Sequence, residues 1–185
     1  MRIIGGECRG RRLASVGKGD AGAHLRPTAD RVRESLFNML AGGFGDPCRG
    51  AVVLDLFAGT GALGLEALSR GAGRATFVEN GRVALRLLRD NIGICRVAER
   101  TRVVQRDARK LGECPGDAAT LVFLDPPYGK QMGEAALGAA LAGGWIAEGA
   151  LIVWEESAGV SAPEGLTLLD ERRYGDTVIR IFENG

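Results

Sequence analysis

Apolar residues recur along this chain in two rhythms, and the rhythms alternate. Short unbroken runs such as Val52-Val53-Leu54-Asp55-Leu56-Phe57 and Leu121-Val122-Phe123-Leu124 read as strands buried on both faces. Between such runs, apolar residues fall three and four apart, as Val32, Leu36 and Leu40 do, which is the spacing of one helix face. The pattern predicts strands over 51–57, 75–79, 102–105, 119–124, 150–155, 166–170 and 177–182, and helices over 61–70, 81–93 and 132–142. A further helix starts near Thr28 or Asp30, either of which can cap it, and is stopped by Ala41-Gly42-Gly43.

Strand–helix repetition of this kind implies an α/β protein with a mostly parallel sheet covered on both faces. The last two strands are joined only by the polar stretch Glu171 to Asp176, too short for a crossover, so they form an antiparallel hairpin at the sheet's edge. At the other end of the chain, Arg2-Ile3-Ile4 and Arg12-Leu13-Ala14 flank a glycine-containing turn, as a small β-hairpin would. A Gly- and Ala-rich loop follows, so the expected organisation is a basic hairpin extension over 1–25 and one α/β domain over 26–185.

Composition adds limits. With 185 residues, 45% apolar and 25% charged, the chain fits a single globular domain with a substantial core. It contains no stretch of membrane-spanning length, and its N-terminus lacks the apolar core of a signal peptide. Cys8, Cys48, Cys95 and Cys114 are far apart and, with the single His24, offer no metal-ligand spacing. They read as reduced thiols of a cytoplasmic protein that needs no metal. Net charge is +1, yet residues 1–33 hold eight basic residues against three acids, so the rest of the chain is acidic. A basic front end on an acidic body suggests a polyanion that touches one region.

The strand 51–57 runs directly into Ala58-Gly59-Thr60-Gly61-Ala62-Leu63-Gly64, so Gly59, Gly61 and Gly64 satisfy G-x-G-x-x-G between a strand and a helix. Glu79 ends the next strand, where a ribose-binding acid is expected. A nucleotide-like cofactor at the strand tips follows; the plainer alternative is a helix-packing glycine turn with a chance acid. Asp55 narrows the cofactor. At the mouth of the loop it would repel a pyrophosphate but suit the ammonium of an amino-acid moiety. S-adenosylmethionine carries that ammonium, a ribose diol and an adenine, and no phosphate. Asp107, with Ala108 beside it, is placed to accept from the adenine amine, although a capping or surface Asp would read the same way.

Asp125-Pro126-Pro127-Tyr128 leaves the end of a buried strand. The prolines fix φ and withhold two N–H donors, leaving a carboxylate and a carbonyl as acceptors beside a ring that can stack. Such a shelf suits an exocyclic amine on a nucleobase, whose two hydrogens need acceptors and whose ring needs a flat partner. A Pro-Pro turn with a surface Tyr is the structural alternative.

Asp-Leu-Phe-Ala-Gly-Thr-Gly followed by Asp-Pro-Pro-Tyr resembles the class I, S-adenosylmethionine-dependent methyltransferases that modify exocyclic amines. More narrowly, Met1-Arg-Ile-Ile-Gly-Gly, Arg26-Pro-Thr-Ala-Asp-Arg-Val-Arg-Glu-Ser-Leu-Phe-Asn38 and Ala62-Leu-Gly-Leu-Glu-Ala-Leu-Ser-Arg70 resemble the bacterial RsmD family. Those enzymes methylate N2 of a guanine in small-subunit (16S) ribosomal RNA. The resemblance covers essentially the whole chain. It implies a Rossmann-like, seven-stranded sheet with one antiparallel strand and an N-terminal hairpin that contacts RNA. It implies a cofactor set of Thr28, Asp55, Ala58, Gly59, Gly61, Glu79, Asn80, Asp107 and Ala108, and a catalytic set of Asp125, Pro126, Pro127 and Tyr128. Arg2, Arg9, Arg11, Arg12 and Arg26 would meet the RNA, bound free or within a small-subunit particle, with the protein acting as a monomer. The Gly/Ala-rich loop 14–25 departs from the family pattern and leaves the hairpin's far edge undefined.

Three other readings use parts of the same features. An adenine-N6 DNA methyltransferase could use the same shelf, but the chain has little spare length for a target-reading segment. A nicotinamide-dependent oxidoreductase would use the glycine pattern and Glu79, against the charge of Asp55 and with no use for the shelf. A non-catalytic RNA-binding module would explain only the basic front end.

Overall fold

A computed structural model describes residues 1–15, 30–127, 131–157 and 159–185. Helix α1 (Asp30–Gly43) precedes β1 (Val52–Leu56), α2 (Ala62–Ser69), β2 (Arg74–Glu79), α3 (Arg82–Cys95) and β3 (Thr101–Gln105). There follow β4 (Ala119–Leu124), α4 (Met132–Ala142), β5 (Ile146–Glu156), β6 (Leu166–Tyr174) and β7 (Thr177–Asn184). The strands form one sheet in the order β3-β2-β1-β4-β5-β7-β6, and β7 pairs antiparallel with both of its neighbours.

The continuous apolar runs have the expected cause. Val53, Leu121 and Phe123 face one core with Leu36, Phe37, Leu65 and Leu88 from α1, α2 and α3. Leu54, Leu56, Val122 and Leu124 face the other, with Ala136 and Leu137 of α4. With both faces covered, residues 53–56 of β1 and 121–124 of β4 are buried or nearly so throughout, and only Thr120 near the start of β4 is exposed. From β1 the chain winds outward to β2 and β3, then returns to β4 on the other side of β1. Connections therefore diverge above the C-terminal ends of β1 and β4, which is where open α/β sheets form a ligand crevice.

Three features differ from the sequence expectation. β5 begins at Ile146, and its pairing with β4 shifts register between Ala119 and Leu121. β6 extends through Glu171 to Tyr174, so the turn is only Gly175-Asp176, with Gly175 at φ 63°. The third difference is Arg33, which the sequence grouped with the basic front end; it is fully buried, with Nε 3.7 Å from the equally buried Glu66.

The N-terminal segment is docked, not free. Arg2 and Arg12 form an antiparallel bridge, while Ile3, Cys8 and Leu13 are buried in the core that α1 and α2 share. Glu66 accepts the N–H groups of Ile4 and Gly5 at 2.8 Å each, and Ser69 Oγ accepts that of Cys8 at 2.9 Å. Gly6 (φ 74°) lies so close to α2 that a Cβ would fall 1.7 Å from the Ser69 carbonyl oxygen.

Candidate active site

The turn after β1 departs from ordinary backbone. Phe57 (φ 60°), Gly59 (φ 55°) and Gly61 (φ 80°) all have positive φ, which is costly for a bulky side chain such as Phe57. Gly59 donates its N–H to Glu79 Oε2 at 2.8 Å, and Asn80 and Gly81 donate theirs to Oε1 at 2.9 and 2.7 Å. An ionised carboxylate offers about four acceptor positions. Three are used by the half-buried Glu79 to fasten the loop to the end of β2, which leaves about one acceptor position open. Ala58 and Gly59 are buried, and Asn80 is exposed.

Gly61 and Gly64 serve packing. A Cβ on Gly61 would come 2.4 Å from Leu88 Cδ1, and one on Gly64 would come 2.4 Å from Phe77 Cε1. Both α hydrogens point into the protein, letting α2 lie close to β2 and α3. Asn91 supports the same loop, donating from Nδ2 to the carbonyls of Thr60 (2.9 Å) and Ala14 (3.1 Å). Its Oδ1 accepts the Ala14 N–H at 2.7 Å. Sequence reading passed over Phe57 and Asn91; the available signal was a polar residue within the apolar face Leu87-Leu88-Asn91-Ile92.

Asp55 is buried beneath the loop, where Oδ2 accepts the Gly64 N–H at 2.9 Å. Burial pushes its pKa up to about 7; the Gly64 bond opposes that rise and the Glu79 charge adds to it. Two acids therefore share the mouth of the glycine loop. A cation placed there would favour ionised Asp55, and a pyrophosphate would be repelled.

Pairing of Glu79 with Gln105 sets the end of β3 alongside. Asp107 lies two residues beyond and caps the short turn Ala108–Lys110, accepting the Arg109 N–H at 2.9 Å. It also pairs with the Arg109 guanidinium at 2.6 Å, and that partner holds its carboxyl below the usual range. The capping alternative is thus realised for Asp107, beside a buried Ala108.

Leu56 pairs with Leu124, so Phe57 and Asp125 leave adjacent strands side by side. Asp125 is half-buried, Pro126 buried and Pro127 exposed. Trp154 pairs with Leu124 from the other side, which brings the buried Glu155 of β5 to the same tip. Tyr128, Thr28 and Arg26 lie outside the described residues. A cavity of about 220 Å³ lies at the opposite end of the sheet, against Val52, Arg74 and Thr101.

In the basic front end, Arg2, Arg9 and Arg12 are exposed. Arg11 is half-buried and donates from Nη1 to the Ile94 carbonyl at 2.7 Å, an anchoring bond to the end of α3. Among the described residues no helix is long and apolar enough to cross a membrane, and no His, Cys, Asp and Glu side chains group as a metal site.

A sheet reversed at its seventh strand and wound around a glycine loop is the fold of the class I methyltransferases. The solved structure of yhhF from Escherichia coli superposes with a TM-score of 0.84 at 38% identity, covering 100% of this chain and 97% of that one. The hypothetical protein TTHA0928 from Thermus thermophilus follows with a TM-score of 0.75 at 32% identity, covering 99% of each chain. Residues 1–183 match the model for conserved hypothetical protein 95, and the chain belongs to that family, the RsmD family. Its relatives include ribosomal RNA small subunit methyltransferase D of Escherichia coli, 39% identical over 186 residues, covering 99% of this chain and 89% of the relative. The protein of that name in Haemophilus influenzae is 34% identical over 189 residues, covering 100% and 94%.

Proposed function

We propose that this chain is a methyltransferase of small-subunit ribosomal RNA that uses S-adenosylmethionine and modifies the exocyclic N2 amine of a guanine. The observation that carries the reading is the pairing of Leu56 with Leu124, which sets an acid-lined glycine loop beside the Asp125-Pro126-Pro127 shelf. The acids Asp55 and Glu79 favour a positively charged nucleoside without phosphate, which supports S-adenosylmethionine over a nicotinamide dinucleotide. When bound, that group supplies a methyl already activated on a sulfonium.

The residues do the rest. The amine of guanine is a poor nucleophile because its lone pair is delocalised into the ring. Asp125 and the Pro126 carbonyl accept the two amine hydrogens, which favours a pyramidal nitrogen and aims its lone pair. Tyr128 stacks on the base. Orientation and a matched local charge supply most of the acceleration. The base reaches the shelf unpaired or extruded. Residues 1–25 act as the RNA-docking part, through Arg2, Arg9 and Arg12, with Arg26 adjoining them, and residues 26–185 as the catalytic domain.

Mapping modified nucleosides of ribosomal RNA from cells lacking the protein tests this. Loss of one N2-methylguanine from small-subunit RNA is the expected result. An unchanged ribosomal map with N6-methyladenine missing from DNA would overturn it in favour of the adenine reading. Thermal melts give an independent check on the cofactor: S-adenosylhomocysteine should protect, and NAD should not.

A further inference from the structure

Helix α3 carries a charge pattern that the fold itself does not use. Its inner face buries Leu85, Leu88, Asn91, Ile92 and Cys95, while Arg82, Arg86 and Arg89 are exposed at i, i+4 and i+7, with exposed Arg96 at its end. Among the described residues none of these four arginines is ion-paired with an acid, unlike Arg49, Arg74, Arg100, Arg109, Arg172 and Arg180. The first turn contains no acid, so Arg82 stands at the positive end of the helix dipole, where a cation is unfavourable. Arg82, Arg86 and Arg89 also repel one another along a single face. Asp90, exposed four residues after Arg86, is the one acid of this helix and offsets part of that repulsion, so the face keeps a net excess of positive charge.

The position of the helix supplies a use. At its start the Gly81 N–H is bonded to Glu79, beside the proposed cofactor loop. At its other end the Ile94 carbonyl receives Arg11, next to Arg9 and Arg12 of the basic segment. At about 1.5 Å rise per residue, the arginines from Arg82 to Arg96 span about 21 Å between those two places. We infer that the exposed face of α3 is a second phosphate-binding track, along which the RNA backbone runs between the N-terminal segment and the target base.

This inference rests on the ribosomal RNA reading and deepens it, and the test separates the two. Affinity of the full-length protein for a small-subunit ribosomal RNA transcript would be measured across a salt series. The proteins compared are the wild type, Arg82→Ala/Arg86→Ala/Arg89→Ala, and Arg172→Ala/Arg173→Ala on the far edge strand. The α3 variant should flatten the log–log salt slope by about 2, at about 0.7 per lost phosphate contact on single strands. Its melting temperature should hold or rise, because like charges have been removed, and S-adenosylmethionine affinity should stay within about twofold. A slope equal to wild type, or an equal fall in the β6 variant, would overturn the track and leave the methyltransferase reading standing. A wild type with no salt-dependent RNA affinity would overturn both.

Discussion

Glu79 Oε2 accepts the Gly59 N–H at 2.8 Å, so the acid ending β2 clasps the loop that leaves β1. Its other oxygen holds Asn80 and Gly81. The residue expected to meet the ribose also sets the loop's shape, which makes substitutions at Glu79 act twice.

Glu79→Ala should weaken S-adenosylmethionine binding at least tenfold, a charge-assisted hydrogen bond being worth about 1.5–3 kcal/mol. Glu79→Gln retains one acceptor oxygen and should fall between wild type and Ala. Isothermal titration of both variants decides it; unchanged affinity would remove Glu79 from the site.

Gly64→Ala should lower stability by about 1–3 kcal/mol through overpacking, since its Cβ would press on Phe77. Gly61→Ala should do so as well, against Leu88 and at a φ of 80°. Denaturant melts would show both losses without any cofactor present. Wild-type midpoints would mean that α2 can shift to make room.

Asp55 links pH to both stability and binding. Its folded pKa of about 7 lies above the ordinary value of 3.8, so between them the folded state holds a proton that the unfolded state has released. Stability from this group is therefore complete below about pH 4, declines as pH rises and is gone above about 7. Asp55→Asn should flatten that decline. A cationic ligand favours ionised Asp55, so S-adenosylmethionine affinity should rise as pH climbs towards about 7, with proton release on binding below that. Calorimetry in buffers of different ionisation enthalpy measures the release, and its absence would separate Asp55 from the ligand.

Asp125→Ala should reduce turnover by about 10²-fold or more while leaving S-adenosylmethionine affinity nearly unchanged, because it removes one acceptor at the reacting amine. Near-normal single-turnover rates would make the shelf structural.

Within the basic segment, Arg9→Ala/Arg12→Ala should weaken RNA binding and flatten its salt dependence, whereas Arg11→Ala should lower stability by about 1 kcal/mol through the lost Ile94 bond. Equal RNA effects for all three arginines would show that Arg11 also faces phosphate.

β1, β4 and the later half of β5 were legible because both faces are covered there, which leaves continuous apolar runs in the sequence, whereas the edge strand β3 has no buried residue and carries only Val103-Val104. β6 was read short because it is an edge strand: Glu171-Arg172-Arg173 looks like a polar turn until Arg180 is seen opposite Glu171, 2.6 Å away. Glycine spacing located the loop, but spacing alone does not reveal that Gly61 and Gly64 face Leu88 and Phe77. Charge counting also misled at Arg33. Its partner Glu66 lies far along the chain, inside a helix whose buried face reads as apolar.

The clasp between the first residues and α2 bears on how such proteins can be recombined. Ile4, Gly5 and Cys8 lean on Glu66 and Ser69, and Gly6 tolerates no side chain against the Ser69 carbonyl. A chimera that exchanged only the leading segment with a relative's would have to bring three backbone N–H groups to Glu66 and Ser69 and a glycine to the Ser69 carbonyl. The transferable unit is discontinuous: the leading segment together with the Glu66-Ala67-Leu68-Ser69 turn of helix that receives it.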